Sequence, residues 1–143
     1  MSTQLYDTDF FKWTEEQIAS LKLKRFDELD MDNLIEEIED LGGSKKSAIE
    51  SHMETLLLHL LKQEYQRHMN CKSWEISIKN AKHQIRKILR KNPSLKNFAP
   101  ETIPDAFESA RLMACKETGL DEDTFPKDCP WTMEDLNIYE EKK

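Results

Sequence analysis

The chain has 143 residues, of which 38% are apolar and 34% charged, and its formal net charge is −7. That length fits one domain that buries roughly two thirds of the surface its unfolded form exposes, and apolar residues grouped at regular intervals argue against disorder. Only three glycines and five prolines are present, so the composition points to helices and away from a turn-rich β fold.

Tyr6–Asp9 leads into a first helix, with Thr8 or Asp9 as N-cap and Phe10, Phe11, Trp13, Ile18, Leu21 and Leu23 along it. Its aromatics are expected to anchor this end on the core. A second helix is predicted from Asp30 or Asp32 to Leu41, with Met31, Leu34, Ile35, Ile38 and Leu41 at three- and four-residue steps and Gly42 as its C′ residue. Ser44 then caps a third helix through about His68. Its apolar members Ile49, Met53, Leu56, Leu57, Leu58, Leu60, Leu61 and Tyr65 cover a broad arc, which implies more than one partner helix.

The fourth helix, about Ser73–Lys91, is a clean amphipath built on Trp74, Ile78, Ala81, Ile85, Ile88 and Leu89, and Asn92–Pro93 ends it. After the connection NPSLKNFAPETIP, Pro104 opens a fifth helix through Ala106, Phe107, Ala110, Met113 and Ala114 that closes at Gly119. The tail reads as a loop anchored by Phe125 and Trp131, with a last turn at Thr132–Leu136. No segment alternates as a strand does.

Charge is unevenly spread. Residues 1–70 carry 8 basic and 15 acidic side chains, residues 71–100 carry 8 and 1, and residues 101–143 carry 5 and 12. The basic block either complements its acidic neighbours or offers a face for anions. Cys71, Cys115 and Cys129 are odd in number and widely spaced, and MSTQLYDTDF is not a secretory leader; both features fit a reducing cytoplasm without disulfides. The longest apolar run, around Leu56–Leu61, falls far short of the ~20 residues that cross a bilayer.

The segments YDTDFFKWTEEQ, FDELDMDNLIEEIEDLGGS, HLLKQEYQ, SWEISIKNAKHQIRKIL followed by NPSL, and ETGLDEDTFPKDCPWT, in this order and spacing, resemble a bacterial family, especially common in cyanobacteria, catalogued as domain of unknown function 29. The resemblance spans about residues 5–136. Members usually carry a large apolar or aromatic residue where this chain has Gln63, and more Arg where it has Lys. The resemblance implies an all-helical, bundle-like fold and supplies no catalytic residue, so function must be read from the side chains themselves.

The acidic stretch Asp30–Asp40 is the first candidate. If Leu34, Ile35, Ile38 and Leu41 face inward, Glu36 and Asp40 point away and only Asp30, Asn33 and Glu37 share a flank. Such a helix edge offers too few oxygens to enclose a hard cation, although His52 and His59 on the third helix would extend it if the two helices faced each other. The histidine–glutamate spacing of bundle metal sites is absent, as are HExxH and Cys/His zinc patterns. Glu64 and Arg67 lie in line with the apolar residues of the third helix and are expected where it emerges from the core. No nucleophile elbow or phosphate loop is present.

The basic helix 73–91 is the remaining candidate: Lys79, Lys82, Arg86, Lys87 and Arg90, with His83, occupy its outer surface, where they suit phosphate. Together these readings predict an all-α, single-domain antiparallel bundle of four to five helices over residues 1–143, with a core of about 5–136 and an irregular C-terminal segment. The expected function is a non-enzymatic cytoplasmic protein-interaction domain that contacts another protein or a second copy. Nucleic-acid binding through helix 73–91 is the alternative, and a metal-dependent enzyme the third reading. No cofactor, catalytic residue or metal ligand set is called for, and no membrane partner.

Overall fold

The computed structural model describes residues 2–69 and 71–139, with side chains from residue 5 onward. The protein is all-α, and no strand occurs among the described residues. In chain order the helices are α1 Ser2–Thr8, α2 Phe10–Lys22, α3 Met31–Tyr65, α4 Lys72–Lys91, α5 Ile103–Thr118 and α6 Met133–Leu136, joined in part by short 3-10 turns. Contacts divide the chain into two compact units, Met1–Ser44 and Lys45–Lys143.

In the first unit Asp9 caps α2, its Oδ1 accepting the Lys12 N–H at 3.2 Å. Trp13 and Gln17, one turn apart, are the buried residues of α2. The rings of Tyr6, Phe10 and Trp13 meet at centroid distances of 4.8–5.7 Å, two contacts edge-on and one stacked. Trp13 is thus the buried aromatic anchor, whereas Phe10 and Phe11 are exposed, contrary to the expectation for the aromatics of the first helix; Ile18, Leu21 and Leu23 are exposed as well. The chain leaves α2 through Lys24, which takes the left-handed conformation at φ 59° without being glycine.

α3 corrects a predicted boundary. The helix runs unbroken through Gly42, Gly43 and Ser44, so Gly42 is no C-cap and Ser44 no N-cap. Neither glycine has a positive φ, and the Ser44 hydroxyl donates to the Leu41 carbonyl at 2.8 Å from inside the helix. Two glycines cost a helix interior about 1 kcal/mol each relative to alanine, a penalty that the ordered turns on either side outweigh.

The second unit has the expected antiparallel arrangement. Near the end of α3, Lys62 pairs with Glu117 at the end of α5 at 2.6 Å and lies over the Trp74 ring at the start of α4. Near residue 45, Lys46 lies over Phe98, which sits between α4 and α5. The three helices therefore run up, down and up. Their core joins Ile49, Met53, Leu56, Leu57 and Leu61 to Ile78, Ala81, Ile85 and Leu89 and to Ile103, Ala106, Phe107, Ala110 and Ala114. Each fully buried large side chain contributes roughly 1.5–3 kcal/mol of transfer free energy.

Gly119 ends α5 in the left-handed conformation, φ 78°, and its N–H donates to the Cys115 carbonyl. The C-terminal segment is irregular, as expected, and is held by specific bonds. Arg111 bonds the Glu122 carboxylate at 3.0 Å and the carbonyls of Glu122 and Phe125 at 2.9 and 3.4 Å. Phe125, Met133, Leu136 and Ile138 are buried in the same core, and Thr132 and Asp135 form a reciprocal capping box on α6.

The glycines provide a direct check. An added Cβ at Gly42 or Gly43 meets nothing within 4 Å, so Gly42→Ala and Gly43→Ala are each expected to raise stability by about 0.5–1 kcal/mol. Gly119→Ala, forced into the left-handed region, is expected to lower it by about 1–2 kcal/mol. Urea denaturation of the three variants reads these signs, and a loss at Gly42 would restore the cap that the sequence suggested.

Candidate functional site

The side of α3 that packs in the first unit is the polar one. Trp13 Nε1 donates to Asp30 Oδ2 at 2.9 Å, Asn33 Nδ2 donates to the same oxygen at 2.9 Å, and the Asp30 N–H donates to Gln17 Oε1 at 2.9 Å. The Tyr6 hydroxyl donates to Glu37 Oε2. A tyrosine and a tryptophan withdrawn from water need partners for their O–H and N–H groups, and Glu37 and Asp30 supply them. The expected inward face is thereby corrected: Asn33, Leu34 and Glu37 are the half-covered positions, while Met31, Ile35, Ile38 and Leu41 are exposed.

Of the polar cluster read from the sequence, Asp30 and Glu37 accept from Trp13 and Tyr6, and Asn33 donates to Asp30 beside them. His52 and His59 belong to the second unit, and the facing pair of helices that was to join them to Glu37 is instead the single helix α3. His59 Nδ1 donates to the Thr55 carbonyl at 2.8 Å, one turn back. Among the described residues no three His, Cys, Asp or Glu side chains stand close enough to share a metal ion. Glu64 and Arg67 are exposed and pair with each other at 3.2 Å, as expected of a helix leaving the core; an exposed pair of this kind contributes about 0–1 kcal/mol.

The basic residues of α4 divide into two groups. Arg86 donates through Nη2 to the Asn137 carbonyl and through Nε to the Ile138 carbonyl at 3.3 Å, so it fastens the C-terminal segment. Lys82 is half-buried and also engaged within the protein. Lys79, Lys87 and Arg90 are exposed and make no ion pair among the described residues. With His83 they occupy about 80° of the helix circumference.

The family model described as Domain of unknown function DUF29 matches residues 5–140. The chain belongs to this family. No curated protein and no solved structure matches it. No helix among the described residues of this DUF29 domain is long and apolar enough to cross a membrane.

The surface feature that sequence reasoning missed is the outer side of α3 in the first unit. Met31, Ile35, Ile38 and Leu41 are 52%, 49%, 64% and 67% exposed. Met31, Ile35 and Ile38 fall within about 60° of one another around the helix, and Leu41 lies about 60° beyond Ile38, one heptad after Leu34 and in line with it. Beyond the stripe, on the side away from the packed flank, follow Asp32, Glu36, Glu39 and Asp40, all exposed. The three- and four-residue spacing was visible in the sequence, but hydropathy assigned the stripe to the interior.

The Tyr6 hydroxyl is held protonated well above its ordinary range, first by its bond to Glu37, then by desolvation and by the charges of Glu36, Glu37 and Asp40. A proton bound more tightly in the folded state stabilises the fold below the unfolded tyrosine value near 10. That contribution fades as pH rises from there through the folded value. Wild-type protein is expected to lose thermal stability between pH 8 and pH 11 more steeply than Tyr6→Phe. Parallel Tm profiles for the two proteins would show that the Tyr6–Glu37 bond contributes nothing.

Proposed function

We propose that the protein is a non-enzymatic cytoplasmic interaction domain that docks a partner protein on the Met31–Ile35–Ile38–Leu41 side of α3. The observation that carries this reading is the exposure of four large aliphatic side chains at helical spacing beside four exposed carboxylates. A contiguous apolar stripe with a polar border is the usual form of a protein contact site, and anchors at three- and four-residue steps suit a helix as partner.

The test is affinity purification from the native cell after nuclease treatment, comparing wild type with an Ile35→Ser, Ile38→Ser double variant. Both positions are exposed, so the circular dichroism spectrum should not change. A protein retained by the wild type and reduced at least tenfold with the variant is the expected outcome. Retention of the same protein by both would remove the stripe from the interaction.

The exposed arc Lys79, His83, Lys87 and Arg90 favours a second reading, nucleic-acid binding. Lys79→Glu, Lys87→Glu and Arg90→Glu are the appropriate substitutions, because replacing Arg86 also releases the C-terminal segment. This reading predicts RNA or DNA retention at low salt whose logarithmic salt slope falls by about 0.7–0.9 for each phosphate contact removed. An unchanged slope in the triple variant excludes the arc.

A further inference from the structure

We propose that the occupant of the α3 stripe is a basic amphipathic helix: about three turns long, with aliphatic anchors at three- and four-residue steps and lysines or arginines along one border. This inference rests on the docking reading above and adds the chemistry of the partner. Around the circumference of α3 in the first unit, three zones follow in order. The flank Asp30, Asn33, Leu34 and Glu37 packs on the rest of the unit; the aliphatic stripe comes next; and Asp32, Glu36, Glu39 and Asp40 complete the circle.

None of those last four carboxylates makes an ion pair among the described residues. A segment resting on the stripe therefore has protein on one side and free negative charge on the other. Residues 1–44 carry 12 acidic and 4 basic side chains, so the wider field has the same sign and steers cations toward this side.

The same charges argue against other occupants. A second copy placed antiparallel on the stripe would set acidic border against acidic border, and a parallel copy would set that border against the packed flank that carries Asp30 and Glu37; like charges across an interface are strongly disfavoured. An anionic membrane surface attracts basic segments and so repels this one. A neutral apolar helix would fill the stripe but leave four carboxylates at its border without counter-charges. Length is set by the stripe: Met31 to Leu41 spans about 15 Å of helix, enough for three or four anchors of a peptide of about 12 residues.

The test uses the full chain and three synthetic peptides in fluorescence anisotropy. The first peptide has leucines at heptad a and d positions with lysine and arginine borders; the second keeps the leucines and replaces the basic residues with glutamate; the third scrambles the first. The first is expected to bind at least tenfold more tightly than either of the others, and to weaken between 50 and 300 mM salt. Ile35→Ser with Ile38→Ser should weaken it at least tenfold. A variant carrying Asp32→Asn, Glu36→Gln, Glu39→Gln and Asp40→Asn should weaken it and flatten the salt dependence.

Equal binding of the scrambled peptide would reduce the effect to unspecific charge attraction and overturn the inference, as would equal binding of the acidic peptide. A stripe-dependent dimer in sedimentation would overturn it in favour of a second copy. A native partner that depends on Ile35 and Ile38 but binds through a segment without basic residues would overturn the inference while leaving the docking reading intact. A native partner indifferent to those residues would end both.

Discussion

The first unit is organised by the bond from the Trp13 indole to the Asp30 carboxylate. Trp13 is the largest buried side chain of that unit, and its single N–H must be satisfied if the ring is to leave water. Asp30 meets that need from the position just before α3, while its own N–H donates to the buried Gln17 and its carboxylate also accepts from Asn33. One residue thus fixes the distance between α2 and α3 and the rotation of α3 about its axis. Once that rotation is set, Glu37 comes to Tyr6 and the aliphatic residues four positions apart have no place to go but outward.

The second unit solves its problem in the opposite way. There the aliphatic faces of α4, α5 and residues 45–65 close on one another, and polar contacts appear at the margins, where Arg86 and Arg111 reach carbonyl groups of the C-terminal segment. Backbone carbonyls in an irregular segment lack helix partners, and a guanidinium with five fixed donors satisfies two or three of them at once. Phe125, Leu136 and Ile138 can therefore complete the core from a stretch with only one helical turn of its own.

This contrast accounts for what the sequence revealed and what it concealed. The packing of α4 was legible because Ile78, Ala81, Ile85 and Leu89 obey the rule that apolar faces turn inward, and Gly119 was legible because a helix stop there coincides with a left-handed residue. The rotation of α3 was not legible, since hydropathy ranks Ile35 and Ile38 above Asn33 and Glu37 and carries no information about a tryptophan 17 positions before Asp30 and a tyrosine 31 positions before Glu37. Gly42–Gly43–Ser44 carried the local marks of one helix ending and another beginning, yet glycine also accepts helical dihedrals, and the turns on either side hold it there. Arg86 was placed correctly on the helix circumference, but nothing local shows that the chain returns 51 residues later to occupy it.

The two charged surfaces consequently differ in what they leave available. On α4 the basic residues are divided, with Arg86 and Lys82 engaged inside the protein and only an outer arc facing solvent. On α3 the carboxylates that serve the fold, Asp30 and Glu37, lie on one flank and the four that do not lie on the other, with the aliphatic stripe between them. An aliphatic stripe alone accepts any apolar surface, including its own copy. Selectivity needs a cost for the wrong partner as well as a gain for the right one, and an acidic border on the free side supplies it: the border raises the energy of a copy of itself and lowers that of a cation-bordered helix.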